Sequence, residues 1–157
     1  MTEINTGLDD NARKAVAEAI NSVLADSYVL YMKTHAYHWN VTGPQFHTLH
    51  TMFEEQYREI WTALDELAER VRSLGEYAPT SGEAFAALAA VKSADANPPA
   101  AEEMVAILLA DHETLIRRAR AALATADEAG DAASEDLLTQ RIQSHEKTAW
   151  MLRALAA

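Results

Sequence analysis

The chain has 157 residues, which is enough to bury a hydrophobic core, and we expect residues 1–157 to form a single domain. It contains no cysteine, so disulfides, cysteine nucleophiles and thiolate zinc sites are excluded, and any metal must be bound through nitrogen and oxygen ligands. The formal net charge of −11 disfavours nucleic acid and anionic membranes as partners and favours cations.

The sequence offers no segment of the kind that inserts into a membrane. The N-terminal stretch is polar and acidic, and the longest apolar run, from Ala84 to Val91, has eight residues. A signal peptide or a membrane-spanning helix needs a longer apolar stretch with suitable flanks. We therefore predict a cytoplasmic protein that does not enter a membrane.

The first long helix is predicted to begin at Asp9 or Asp10 and to reach about His38. Either aspartate can accept hydrogen bonds from the free N–H groups of the first turn. Only five glycines and four prolines occur in the chain, so few residues interrupt helical structure. The apolar residues that recur at helical spacing in this segment are Val16, Ile20, Val23, Leu24, Leu30 and Tyr31.

A turn and a second long helix follow the first. Gly43 permits the turn, and Pro44 suits the first position of a new helix. We predict that this helix runs from there to Leu74 and that Gly75 terminates it, because glycine adopts the left-handed conformation that often ends a helix.

The remaining chain contains one short and two long predicted helices. Between residues 76 and 97, the small apolar stretch Phe85–Val91 predicts a short helix that lies across the bundle. Asn97-Pro98-Pro99, followed by two glutamates, predicts the start of the third long helix, and Gly130 marks a tight connection to the fourth. The apolar positions of these two helices are Met104, Leu108, Leu115 and Leu123, then Leu138, Ile142, Ala149 and Leu152.

The order of these elements predicts the fold class. Four long helices, with a much longer connection between the second and third than between the other pairs, favour a bundle with a crossover connection. We therefore predict an all-α protein: a ferritin-like four-helix bundle with a short extra helix in the crossover connection. No strand pattern or internal repeat occurs in the sequence.

Histidines are concentrated where the first long helix ends and the second begins. Four of the six lie between His35 and His50, in two His-x-x-His pairs. Further along the second helix, Glu54, Asp65 and Glu69 lie within about 100° of His50 around the helix axis, so the four residues share one side. Imidazole and carboxylate ligands together suit Fe(II), Mn(II) or Zn(II), and a partly open iron site can react with an oxidant.

One chain cannot place all of these ligands on a single ion. His50 and Asp65 are separated by about 22 Å along a helix. If two copies of the second helix pack antiparallel about a two-fold axis near Glu59 and Ile60, the histidine end of each comes level with the carboxylate end of the other, and His38 can complete each site. The usual in-chain di-metal site needs Glu-x-x-His pairs, which this sequence lacks.

Two segments carry a resemblance to the Dps family, the DNA-binding proteins from starved cells. The end of that family's first helix, its turn and its second helix resemble HWNVTGPQFHTLHTMFEEQYREIWTALDELAERVRSLG, and its last helix is similar to HEKTAWMLR. The likeness runs from about Ala12 to Arg153. It implies a hollow dodecamer with ferroxidase centres at two-fold interfaces, whose metal ligands are His38, His50 and Glu54 of one subunit and Asp65 and Glu69 of its neighbour.

The resemblance also implies an iron-storage and detoxification function. Family members bind Fe(II), oxidise it preferentially with hydrogen peroxide, and store the ferric mineral inside the shell. We therefore expect a ferroxidase that uses iron, with zinc or manganese as substitutes. Trp39, next to His38, is a candidate electron donor, and Asp136 lies where the family has an acid in a three-fold pore for iron entry.

DNA binding is not expected, although it is a trait of the family. Family members that bind DNA often use a mobile Lys/Arg-rich tail, whereas residues 1–10 contain Glu3, Asp9 and Asp10 but no basic residue. Such a segment cannot release counterions from phosphates, which is the main driving force for binding DNA. We therefore predict weak or no DNA binding at physiological salt.

Simpler interpretations exist for several residues. His35, His47, His112 and His145 are each interpreted as surface or core residues, and Trp61 and Trp150 as core or interface anchors. The acids around Gly130 suit a solvated helix start. At the level of function, the alternative is a shell or nucleoid-protecting structural protein whose metal site is vestigial or structural.

Overall fold

The computed structural model describes residues 2–157, and every regular element in this range is an α-helix. The helices are α1 (Asp10–Asn40), α2 (Phe46–Ser73), α3 (Gly82–Leu88), α4 (Ala101–Ala129) and α5 (Ala132–Ala156). Four long helices and a short one in the crossover between α2 and α4 confirm the predicted all-α bundle. Within the described range, no helix is both long enough and apolar enough to cross a membrane.

The bundle is organised around α1, which packs against both α2 and α4, while α5 packs mainly against α4. The apolar stripes predicted from helical spacing meet in the centre of the bundle, which confirms the assignment of the core-facing sides. The fully buried members include Ile20, Leu24 and Leu30 of α1, Leu108 and Leu115 of α4, and Leu138 and Leu152 of α5.

Local capping chemistry ends the helices where the sequence predicts. The Asp9 carboxylate accepts a hydrogen bond from the Ala12 N–H at 2.8 Å. After α2, Gly75 adopts a left-handed backbone with φ +98°, and its N–H donates to the carbonyl of Arg72. A side chain would be strained at this positive φ, so glycine is strongly favoured here.

Two predicted boundaries are wrong by a few residues. The second long helix begins at Phe46 instead of Pro44, because residues 43–45 still belong to the turn. The short helix covers 82–88 instead of 85–91, because the Ser81 hydroxyl caps its N-terminus by accepting from the Ala84 N–H at 3.1 Å.

Buried Asp26 of α1 explains why the short helix stops before residue 91. Its carboxylate accepts hydrogen bonds from the N–H groups of Ala90 at 2.6 Å and Val91 at 3.0 Å, which fixes these residues in an extended segment. The guanidinium of Arg118 on α4 pairs with the other carboxylate oxygen at 3.0 Å. A buried carboxylate is tolerated because it is fully bonded, and here it fastens the crossover connection to two helices.

A second polar cluster, the core polar layer, runs from buried histidines of α4 and α5 to the half-exposed Glu59 of α2. Its members are Gln56 and Glu59 of α2, His112 of α4, and Arg141 and His145 of α5. Arg141 pairs with both carboxylate oxygens of Glu59, and the Nδ1 atoms of the two histidines lie 2.9 Å apart. Burial lowers the pKa of His112 to about 3 and the pKa of His145 well below its usual value. Both imidazoles are therefore neutral at neutral pH.

The neutral, buried histidines predict that mild acid destabilises the fold. In the unfolded chain each imidazole binds a proton near pH 6.5, whereas folded His112 resists protonation down to about pH 3. The unfolded state binds more protons between these values, so the free energy of unfolding should fall as the pH falls, by up to about 1.4 kcal/mol per pH unit for each histidine. Urea unfolding followed by circular dichroism between about pH 7 and about pH 5 measures this slope.

A His112→Gln/His145→Gln variant, compared at one protein concentration, should show a shallower slope over the same range. Glu59 does not interfere: burial opposes its ionisation, but the hydrogen bond and charge of Arg141 and the hydrogen bond from Ser144 together hold its pKa below the usual value, outside the window. Equal slopes in the two proteins would contradict the assignment of the acid sensitivity to these histidines.

Candidate metal centre

His38 and His50 are held in place by each other's backbone. Nδ1 of His38 lies 2.7 Å from the carbonyl oxygen of His50, and Nδ1 of His50 lies 2.7 Å from the carbonyl oxygen of His38. A carbonyl oxygen only accepts, so both Nδ1 atoms carry a proton and donate. In the neutral form, the Nε2 atom of each ring therefore keeps a free lone pair that can bind a metal ion.

Glu54 completes a group of three predicted ligands at this end of the bundle. The rings of His38 and His50 stack with centroids 3.8 Å apart and planes inclined by 14°. Oε1 of Glu54, one turn beyond His50 on α2, lies 3.8 Å from Nε2 of His38. Its other oxygen pairs with the exposed guanidinium of Arg58 at 3.2 Å. The Glu54 carboxylate remains partly open to solvent.

Asp65 and Glu69 lie on the far half of α2 and are not brought to the histidines within one chain. Both are exposed, and among the described residues neither takes part in a salt bridge. Asp65 borders a groove of about 470 Å³ whose other lining residues include Tyr28, Trp61 and Phe85. Within residues 2–157, no three histidine, aspartate or glutamate side chains converge closely enough to hold a metal ion.

Aromatic rings surround the histidine pair on the α1 side. Trp39 is 58% exposed, and its ring centroid lies 4.1 Å from that of His35. His35 stacks on Tyr57 at 3.8 Å and lies 3.0 Å from the hydroxyl of Tyr31. His35 is therefore a packed residue, as its simpler interpretation predicts, and it connects Trp39 to the rings that contact His38.

The acids near the α4–α5 connection differ in their surroundings. Asp136 is exposed on α5 and accepts a hydrogen bond from Gln140 at 2.9 Å. Asp131, in contrast, is buried; it caps α5 and pairs with Arg70 at 2.9 Å. Burial opposes its ionisation, but hydrogen bonds from Ser134 and Arg70 hold the pKa of Asp131 below its usual value. Asp131 is thus a structural residue, and Asp136 remains available at the surface.

Two tryptophans that were predicted to be core or interface anchors are exposed. Trp61 is 60% exposed and Trp150 is 61% exposed, so the prediction that they could be core anchors is wrong, and an interface role stays a prediction. Helical spacing alone does not show which side of a helix packs inside the subunit and which side faces outward.

The burial of three further histidines matches a surface or a core position. His47 is exposed, whereas His112 and His145 are buried.

The core polar layer was not predicted as a unit. His112 follows Leu108 by four residues, and His145 follows Ile142 by three, so both histidines continue the apolar stripes of their helices. That spacing indicates burial but does not identify partners. The pairing of Glu59 with Arg141 joins helices far apart in the sequence, and local pattern carries no signal for it.

Comparisons with known proteins agree with the fold. A family model described as a ferritin-like domain matches residues 17–157. The chain is 46% identical to an uncharacterised low temperature-induced protein of Nostoc sp., over 98% of this chain and 87% of that protein. It is 38% identical to DNA protection during starvation protein 2 of Bacillus anthracis, over 90% of this chain and 96% of the relative.

A solved structure extends the likeness to three dimensions. The Dps protein of Vibrio cholerae O1, described as a member of a broad superfamily of ferritin-like diiron-carboxylate proteins, superposes with a TM-score of 0.93 at 32% sequence identity, covering 100% of this chain and 98% of that one. The family model and these relatives each span most of the chain. The protein therefore belongs to the ferritin-like proteins and, within them, to the Dps family.

Proposed function

We propose that the protein stores and detoxifies iron: it oxidises Fe(II) with hydrogen peroxide at a centre shared between two subunits and keeps the ferric product inside a dodecameric shell. The observation that carries this proposal is the reciprocal His38–His50 pair, whose Nε2 atoms and the neighbouring Glu54 form half of a ligand set. Membership of the Dps family supports the same function.

The other half of the ligand set is proposed to come from Asp65 and Glu69 of a neighbouring subunit. Both carboxylates face solvent, and the groove beside Asp65 presents the exposed ring of Trp61. Covering this apolar surface with a second copy stabilises an interface by about 25 cal/mol per Å². Two α2 helices that pack antiparallel about a two-fold axis would form two equal centres.

Iron is the substrate of the proposed centre. Imidazole and carboxylate ligands bind Fe(II), and the anionic oxygens favour the more highly charged Fe(III) product. Hydrogen peroxide takes up two protons and two electrons, one from each of two Fe(II) ions, and leaves as two water molecules. No hydroxyl radical is released when both electrons come from iron.

Further assignments belong to the same proposal. Trp39 lies close to His38 in the chain and is proposed as a nearby electron donor. Asp136, exposed near the start of α5, is proposed to line the path by which iron enters the shell. Zinc and manganese accept the same nitrogen and oxygen ligands and are expected to occupy the centre in place of iron.

Replacing both distant carboxylates should slow iron oxidation. In an Asp65→Asn/Glu69→Gln variant, the size of the side chains is kept but their charge is lost, so the neighbouring subunit no longer completes the centre. We expect the initial rate of ferric absorbance, after Fe(II) and hydrogen peroxide are mixed without oxygen, to fall roughly tenfold or more. Light scattering checks that the shell is still assembled.

The matched control is Glu66→Gln/Glu103→Gln, which removes two exposed negative charges outside the proposed centre. It should oxidise iron at the original rate. Equal rates in all three proteins would remove Asp65 and Glu69 from the centre. If the unaltered protein forms a shell but oxidises Fe(II) no faster than buffer, the structural, shell-forming function is favoured instead.

The unaltered protein should not retard plasmid DNA in a gel at neutral pH and about 0.15 M salt. Residues 2–10 carry no basic side chain, and Arg13 fastens this segment to the bundle by donating to the carbonyl of Leu8 at 2.7 Å. The segment therefore lacks the positive charge that contacts with phosphate require.

A basic variant tests this explanation. Thr2→Lys/Asn5→Lys/Thr6→Lys changes three exposed positions and should gain DNA binding that weakens steeply as salt rises. The same positions changed to alanine provide the control and should remain inactive. Compaction of plasmid by the unaltered protein at ordinary ionic strength would overturn the prediction.

A further inference from the structure

A tyrosine and a histidine beside the candidate metal centre share a hydrogen bond. The hydroxyl of Tyr31 lies 3.0 Å from Nδ1 of His35, one turn further along α1. Both side chains are partly buried, so the contact is sheltered from solvent. A phenol is a better donor than the N–H of a neutral imidazole, so Tyr31 donates and Nδ1 of His35 accepts.

The surroundings keep both partners of this hydrogen bond neutral at rest. Burial raises the pKa of Tyr31, so its hydroxyl stays protonated. Burial, followed by the charge of His38, lowers the pKa of His35, so its imidazole keeps a free lone pair at neutral pH. The proton is therefore held between an acid and an available base.

Ring contacts connect this pair to the predicted ligands. His35 stacks on Tyr57 with centroids 3.8 Å apart, and the Tyr57 ring meets His38 edge-on at 5.3 Å. The centroids of His35 and His38 are 6.0 Å apart. Electrons pass readily between aromatic rings at such separations, so Tyr31 is within electronic reach of the centre.

The hydrogen bond distinguishes Tyr31 from the other oxidisable rings near His35. A phenol that loses an electron becomes strongly acidic, so its oxidation is easiest where a base takes the proton at once. Tyr57 and Trp39 contact His35 by ring packing, at 3.8 Å and 4.1 Å. Tyr31 instead directs its hydroxyl at the basic nitrogen, and the oxidised state should settle there.

The proposed reaction has a use for such a donor. Hydrogen peroxide needs two electrons to become two water molecules, and a centre that holds a single Fe(II) supplies one. If the second electron is missing, cleavage of the O–O bond leaves a hydroxyl radical. A donor beside the centre prevents this product.

We propose that Tyr31 and His35 form a redox pair beside the shared centre, in which Tyr31 supplies the second electron for peroxide reduction and its proton passes to Nδ1 of His35. This inference rests on the proposed function. Tyr31 acts through the neighbouring rings and does not touch the metal ion.

The electrons and protons of this step balance. Fe(II) and Tyr31 each lose one electron, giving Fe(III) and a neutral phenoxyl radical. The O–H bond of Tyr31 breaks as an N–H bond forms on His35. The two electrons and two protons from solvent break the O–O bond of one hydrogen peroxide and yield two water molecules. A later Fe(II) returns an electron to Tyr31, and His35 returns the proton.

The first test looks for the radical during iron oxidation. The protein, loaded without oxygen with at most one Fe(II) per chain, is mixed with hydrogen peroxide, frozen at once and studied by electron paramagnetic resonance. We expect a tyrosyl signal that narrows when the protein carries ring-deuterated tyrosine. Tyr31→Phe should abolish it, whereas the matched control Tyr28→Phe, which removes a hydroxyl one turn earlier on α1, should retain it.

Removal of the base separates the pair from a tyrosine that is merely nearby. His35→Gln keeps a polar side chain but offers no base, so the radical yield should fall roughly tenfold or more although Tyr31 is present. Circular dichroism checks folding, and His35→Phe, which retains an aromatic ring, replaces His35→Gln if the latter does not fold.

The second test needs no iron. Because the chain contains no cysteine, Asn40→Cys provides a single thiol for a ruthenium photo-oxidant, about 14 Å from Tyr31 along α1. A flash in the presence of a sacrificial electron acceptor should give the tyrosyl signal in the metal-free protein. The signal should again be lost in Tyr31→Phe and retained in Tyr28→Phe.

Two results would overturn the inference. One is a labelled, metal-free protein whose tyrosyl signal is absent or survives Tyr31→Phe. The other is a protein that oxidises Fe(II) with peroxide but forms no radical on Tyr31. If the labelled protein forms this radical while the unaltered protein oxidises no iron, the proposed function fails and the redox pair remains as a property of the fold.

Discussion

Two hydrogen bonds between the end of α1 and the start of α2 determine the candidate metal centre. The carbonyl of His38 belongs to the last turn of a helix, where carbonyls lack an intrahelical donor. The His50 ring satisfies it, and the His38 ring returns the same contact to the backbone of α2. The contact that joins the two helices therefore also selects the tautomer of both rings. The same two hydrogen bonds thus join α1 to α2 and orient the two histidine rings for metal binding.

Charged groups in this bundle separate into a paired and an unpaired class. The buried or half-buried pairs are Asp26 with Arg118, Lys33 with Asp111, Arg70 with Asp131, and Glu59 with Arg141. An unpaired charge would be costly in such positions, so these pairs serve the fold. Asp65 and Glu69 lie in solvent, and among the described residues they form no salt bridge, which leaves them free to bind a cation.

The sequence predicts the fold well because helix spacing and caps are local: Asp9 and Gly75 act within a few residues of their partners. It also predicts that His38 and His50 are neighbours, since a short turn joins their helices, but the reciprocal backbone bonds need coordinates. Contacts between distant segments escape local patterns. Periodicity could not distinguish a core from an exposed position for Trp61, and it could not pair Arg141 with a glutamate on another helix.

A centre shared between two copies makes metal binding and assembly depend on each other. Under the proposed function, His38 and His50 lack enough ligands in one subunit, and Asp65 and Glu69 are solvated until a second copy covers them. An ion that binds only the assembled form stabilises that form by mass action. The Glu59–Arg141 pair behaves in the opposite way. Both charges belong to the same chain, so the carboxylate is neutralised without a metal ion. The fold of each subunit can thus be complete before iron arrives, while its candidate chemistry cannot.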